Sequence, residues 1–76
     1  MRTVVLYGRP GCHLCDDARE GLLRLRADVP FVLEEVSIEG SDELLRRYLE
    51  RIPVVTVDGE EVCELFLDQD ALRSRL

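Results

Sequence analysis

The spacing of apolar residues changes repeatedly along this chain, and each change marks a predicted element. "TVVLY" (3–7) is a β-branched, apolar run closed by the turn "GRPG". It reads as a strand buried on both faces. From Cys12 to about Ala27 the period becomes helical. At 100° per residue, Leu14, Cys15, Ala18, Leu22 and Leu25 share one stripe, while His13, Asp17, Glu20 and Arg24 take the other side. That places Cys15 toward a core and His13 toward water.

"ADVP" ends the helix, and "FVLEEVSI" (31–38) follows as a second strand. "EGSDELLRRYLERI" predicts a second helix, with Gly40 as the turn and Ser41 as the N-cap. Asp42 and Glu43 suit the positive end of its dipole. Leu44, Leu45, Tyr48 and Leu49 form its apolar side, and Pro53 ends it. "PVVTVDGEEVCELF" reads as a hairpin about a type I′ turn at Asp58-Gly59. In the simplest register Val57 faces Glu60, Val55 faces Val62 and Val54 faces Cys63. "DQDALRSRL" closes as a short helix capped by Asp68, with Leu72 and Leu76 on one face. The order is βαβαββα. It predicts an α/β fold, a four-stranded mixed sheet with helices on both faces, in which the first two strands run parallel through a right-handed crossover.

Length and charge narrow the function. A chain of 76 residues makes a single domain, 1–76, with a modest core. Its formal net charge of −6 disfavours nucleic acid and anionic membrane surfaces, which need a basic face. No apolar run approaches the roughly twenty residues of a membrane-crossing helix. The start "MRTVVLYG" lacks the features of a secretory signal, so a cytoplasmic location is expected. Thiols are kept reduced there, and a close cysteine pair then points to catalysis or metal binding rather than a structural staple.

The pair is Cys12 and Cys15, in "GCHLC" at the predicted start of the first helix. Free backbone N–H groups and the positive dipole end stabilise a thiolate at such a position. They can lower a thiol pKa from ~8.5 to roughly 3.5–7.5. Arg9, three residues earlier, adds positive charge, whereas Asp16 and Asp17 oppose it. Cys15, one turn further in, is the less accessible thiol. The asymmetry assigns Cys12 as attacking nucleophile and Cys15 as the thiol that resolves the mixed disulfide. His13 is read as a solvated residue paired with Asp17, or as a charge that tunes the Cys12 potential. Cys63 is read as a small buried hydrophobe, or as a third thiol close to the pair.

Other uses of the same residues stay open. A zinc or iron–sulfur site needs two further ligands, and only Cys63 and His13 remain to supply them within the chain, so no metal site is assigned. A cluster shared between two chains would meet that objection. A metal- or cluster-delivery module, and a non-catalytic protein-interaction domain, are therefore the alternatives to an oxidoreductase.

"YGRPGCHLCDDA" and "RIPVVTVDGEEV" together resemble the active-site and proline segments of glutaredoxins and glutaredoxin-like proteins of the thioredoxin superfamily. The resemblance spans nearly the whole chain. It implies a thioredoxin-like, glutaredoxin-type fold with Pro53 in cis beside the cysteine pair. It implies that the backbone of Ile52 bonds an extended substrate and that Arg9 takes the place of the family's usual Lys. It also implies disulfide reduction, of protein or small-molecule substrates, without a bound cofactor and with recycling by an outside thiol reductant or reductase. Glutathione is a co-substrate of many such proteins. Here Cys63 and Glu64 stand where those that bind it carry a Gly-Gly pair, and Leu14 stands where an aromatic is common. Side chains at the glycine positions obstruct a peptide, and Glu64 repels an anionic one, so weak glutathione binding is expected.

Overall fold

The computed structural model describes residues 1–76. Its elements are β1 (Thr3–Gly8), α1 (His13–Asp28), β2 (Val32–Ser37), a 3₁₀ turn (Ile38–Gly40), α2 (Asp42–Tyr48), β3 (Val54–Val57), β4 (Glu60–Glu64) and α3 (Gln69–Arg75). The strands form one mixed sheet in the order β2-β1-β3-β4. β1 and β2 are parallel, and the other two pairings are antiparallel.

Two apolar clusters divide the sheet's faces. On one, Ala18, Leu22 and Leu25 of α1 and Leu72 of α3 pack on Val4, Leu6, Val55 and Val57. Leu22, Leu25 and Leu72 are at most 1% exposed, and burying each contributes about 1.5–3 kcal/mol. The smaller cluster joins Tyr48 of α2 to Ile38, Ile52, Val54 and Cys15, with Tyr7 and Cys12 at its edge. The Tyr7 and Tyr48 rings meet at 4.9 Å. The fold is thus the expected α/β arrangement with helices on both faces.

Caps start the helices where side chains can accept free amides. The Ser41 hydroxyl accepts the Leu44 N–H at 3.3 Å, and Asp68 accepts the Ala71 N–H at 3.1 Å. The hairpin turn has positive φ at both central residues, Asp58 (50°) and Gly59 (89°), as a type I′ turn requires. Asp58 also accepts the Thr3 N–H at 2.9 Å and pairs with Arg2 at 2.7 Å, which locks the turn to the start of β1. These donors hold its carboxyl below the usual range, the Thr3 amide foremost.

Four expectations need correction. β1 alternates between buried and half-buried residues rather than being closed on both faces, because α2 spans only seven residues and covers one end of its side. α2 stops at Tyr48 rather than running to Pro53. The Arg51 and Ile52 amides turn back to the Tyr48 carbonyl at 2.8 and 3.0 Å, and Leu49 is left exposed. Leu14 is 50% exposed, since the buried stripe of α1 runs through Cys15, Ala18, Gly21, Leu22 and Leu25 without it.

The fourth correction is the hairpin register. Val57 faces Glu60 and Thr56 faces Glu61, but a β-bulge follows, so Val55 faces Cys63 and Val54 faces Glu64. The bulge carries one extra residue on β4. Val62 and Cys63 therefore both lean on the α1/α3 cluster. Glu61 and Glu64, three residues apart, end on the same side of the sheet, where a regular strand would send them to opposite sides.

Candidate functional site

The cysteine pair sits where β1 hands over to α1. Gly11, with φ 78°, reverses the chain after "RP", and Cys12 takes the N-cap position in extended geometry. Its Sγ accepts the Cys15 N–H at 3.3 Å, so the sulfur does the work that a Ser or Asp oxygen does at other helix starts. The Cys12 carbonyl accepts the first helical bond, from the Asp16 N–H at 3.0 Å. Cys12 is partly exposed, whereas Cys15 is 6% exposed. All three cysteines are free thiols.

Burial pushes the Cys15 thiol up to about 11. A hydrogen bond with Cys12 and the negative charge of Cys12 and Asp16 add to the rise, while a hydrogen bond from the Arg9 backbone opposes it. Close packing with Gly8 fixes its place. A Cβ at position 8 would lie 2.9 Å from the Cys15 Sγ and 3.1 Å from its Cβ. No larger residue than glycine fits under this sulfur unless it moves.

The Ile52–Pro53 peptide bond is cis, and both residues are buried. Ile52 packs in the cluster that also holds Cys15 and touches Cys12, which brings the proline segment against the pair. The Ile52 N–H is already bonded to the Tyr48 carbonyl, so its carbonyl is the one of its two backbone groups left without a backbone partner. The Pro53 carbonyl accepts the Leu65 N–H at 2.9 Å, and the Arg51 carbonyl accepts it at 3.0 Å. These bonds tie the proline segment to the chain that follows β4.

Arg9 is exposed, forms no ion pair, and lines an open groove of about 490 Å³ with Gly8, Cys15 and Arg19. His13 is exposed and forms no ion pair with Asp17; the six ion pairs of the chain lie elsewhere. Cys63 is half-buried in the α1/α3 cluster, across from Val55, and does not join the cluster of Cys12 and Cys15. Burial raises its thiol, and the Asp68 charge adds to that against a hydrogen bond from the Asp68 backbone. No group of three His, Cys, Asp or Glu side chains converges as metal ligands would. No helix is long and apolar enough to cross a membrane.

One feature of this region escaped the sequence. Arg51 stacks on the Tyr48 ring at 5.4 Å, its Nε meets Glu64 at 3.1 Å, and its outer nitrogen meets Glu61. Nothing in the apolar spacing signals it, because it depends on the bulge in β4.

The model of the glutaredoxin-like domain family (DUF836) matches residues 3–76. Among solved structures, the chain is similar to protein Ne2328 from Nitrosomonas europaea, with 39% identity, a TM-score of 0.90, and 99% of this chain covering 91% of that one. It is similar to target protein XcR50 from X. campestris at 33% identity and a TM-score of 0.77, over 95% of this chain and 92% of that one. Glutaredoxin C1 from Populus tremula x tremuloides, solved in its holo form, shares the fold at 16% identity and a TM-score of 0.52, over 95% of this chain and 71% of that one. None of the curated proteins matches.

Proposed function

The chain belongs to the glutaredoxin-like domain family, and from that premise we propose that it is a thiol–disulfide oxidoreductase working through Cys12 and Cys15. The observation that carries the reading is the Cys12 sulfur at the N-cap of α1, partly open to solvent, with the Cys15 amide aimed at it and the Cys15 thiol buried behind. An N–H directed at a sulfur complements negative charge there.

The steps follow from that asymmetry. The Cys12 thiolate attacks one sulfur of a substrate disulfide; a Cys12–substrate disulfide forms, and the other substrate sulfur leaves as a thiolate and takes a proton from water. Cys15 then loses its proton to solvent and attacks the Cys12 Sγ. The mixed disulfide breaks, the second substrate thiol departs, and a Cys12–Cys15 disulfide remains. The substrate gains two electrons and the pair loses them. An external thiol reductant returns the pair to its starting state.

The raised Cys15 thiol times this sequence. At pH 7 a group titrating near 11 is ionised in only about one molecule in ten thousand, so Cys15 does not compete for the first attack. Two of its raising influences come from Cys12 itself. The charge vanishes once Cys12 is held in a mixed disulfide, which eases ionisation of Cys15 when it is needed. The substrates are disulfides of proteins or small molecules, and the Ile52 carbonyl offers an extended peptide one strand-like bond. A cytoplasmic site of action suits a pair that must be kept reduced.

The test is a pair of variants assayed on a small disulfide and on insulin. Cys12→Ser should abolish reduction, at least 10³-fold. Cys15→Ser should accumulate a mixed disulfide at Cys12, visible by intact mass. Turnover that survives Cys12→Ser refutes the assignment.

A further inference from the structure

We infer that Glu61 and Glu64 are specificity-determining residues: by holding the Arg51 guanidinium they cancel the cation beside the proline segment and turn anionic disulfides away. The inference rests on the oxidoreductase reading and adds to it a preference among substrates.

The geometry begins with the bulge. β4 reads Glu60-Glu61-Val62-Cys63-Glu64, and the extra residue lets Glu61 and Glu64 project to the α2 side together. Arg51 comes to them from the turn after α2, one residue ahead of Ile52. Its guanidinium lies over Tyr48, which packs in the same cluster as Ile52 and Cys15, with Cys12 at that cluster's edge. The cation therefore stands at the margin of the surface a substrate must approach, yet its Nε and one outer nitrogen already donate to two carboxylates.

The charge count follows. One guanidinium against two carboxylates leaves this patch with a net charge of −1, and Asp68 lines the same groove. Across the pair, Arg9 is unpaired but lines the groove on the Cys15 side, and Arg47, also unpaired, lies over the Tyr48 ring at 5.8 Å but outside the groove of Glu61, Glu64 and Asp68, so that groove holds no free cation. An anionic disulfide meets repulsion there, whereas a neutral or basic segment does not. Without the two glutamates, the same Arg51 would offer a carboxylate a bidentate partner.

The experiment compares single-turnover reduction of oxidised glutathione, an anionic disulfide, with that of neutral hydroxyethyl disulfide, using prereduced protein. The double variant E61Q/E64Q should raise the anionic-to-neutral ratio of kcat/KM about tenfold. The gain should disappear when R51Q is added and fade at 0.5 M salt. A ratio that does not move, or a gain that survives R51Q, overturns the inference. S-methylglutathione, which cannot exchange, reads the same effect without chemistry. Tighter binding to E61Q/E64Q than to the unaltered protein supports the clamp, and equal binding overturns it. An unaltered protein that reduces neither disulfide refutes the oxidoreductase reading instead, and the titration still decides the clamp.

Discussion

Cys15 and Cys63 are both thiols that burial makes harder to ionise, yet they stand in opposite situations. Cys15 lies one helical turn behind a partly exposed cysteine, with its amide bonded to that neighbour's sulfur. Cys63 lies on a strand among aliphatic side chains, with a carboxylate nearby and no second sulfur in its cluster. On the proposed mechanism a raised thiol is inert in one place and a delayed nucleophile in the other. What separates them is the backbone: a strand-to-helix junction brings two sulfurs together, and a sheet interior does not.

The sharpest way to break that contrast is to disturb the packing that holds Cys15 without touching either sulfur. Gly8→Ala sets a methyl 2.9 Å from the Cys15 Sγ, closer than such atoms approach, and Gly8 is held at the end of β1 by its pairing with Ser37 of β2. The sulfur must move. Formation of the mixed disulfide at Cys12 should change less than threefold, while its resolution by Cys15 should slow about tenfold, since a displacement of even 1 Å from attack geometry is costly. Rapid-quench alkylation with mass detection separates the two steps. Equal slowing of both would show that Gly8 supports the whole junction rather than Cys15 in particular.

The next effect is on stability and separates the two thiols by pH. A thiol whose pKa is higher in the folded chain than in the unfolded one keeps its proton longer in the folded chain. The unfolded chain loses that proton from about pH 9.0 upward, and the folded Cys15 loses it only near 11. Across that window the folded state binds more protons, so stability falls as pH rises, and it is fully present below pH 9. Cys63 pulls in the same direction. Urea midpoints should therefore decline from pH 9 to pH 10.5, with roughly 1–2 kcal/mol lost to Cys15. Cys15→Ala should flatten most of the decline. A decline unchanged in that variant would assign it to other groups.

Much of this arrangement was legible in the residues. The element order, the caps at Ser41 and Asp68, and the turn at Asp58-Gly59 all follow from local chemistry: a hydroxyl or carboxylate facing free amides, and residues tolerant of positive φ. Cys12 at the helix start was equally legible, since "GRPG" between a β-branched run and a helical period leaves little else. The bulge in β4 was not. "EEVCE" has no glycine or proline to mark it, and the extra residue is fixed by what Val62 and Cys63 must pack against, a partner distant in sequence. That single shift moved Cys63 away from the position facing Val54 and put Glu64 there. The Arg51 clamp depends on the same shift. The burial of β1 was misjudged for a related reason: composition shows that a strand is apolar, but not how short the helix above it will be.

The smallest expected effect completes the contrast. Cys63→Ala removes a half-buried sulfur from the rim of the larger cluster, where Val62 and Leu67 also pack. The lost contact should cost at most about 1 kcal/mol, because a partly exposed site can relax around the missing atom. Disulfide turnover should stay within about twofold, since Cys63 faces Val55 and belongs to a different cluster from the pair. The alkaline decline in stability should shrink slightly, by the contribution of one half-buried thiol. A large loss of turnover in Cys63→Ala, with the urea midpoint at neutral pH unchanged, would mean that the third sulfur reaches the pair during the reaction. Strand position would then cease to separate a resolving thiol from a packing one.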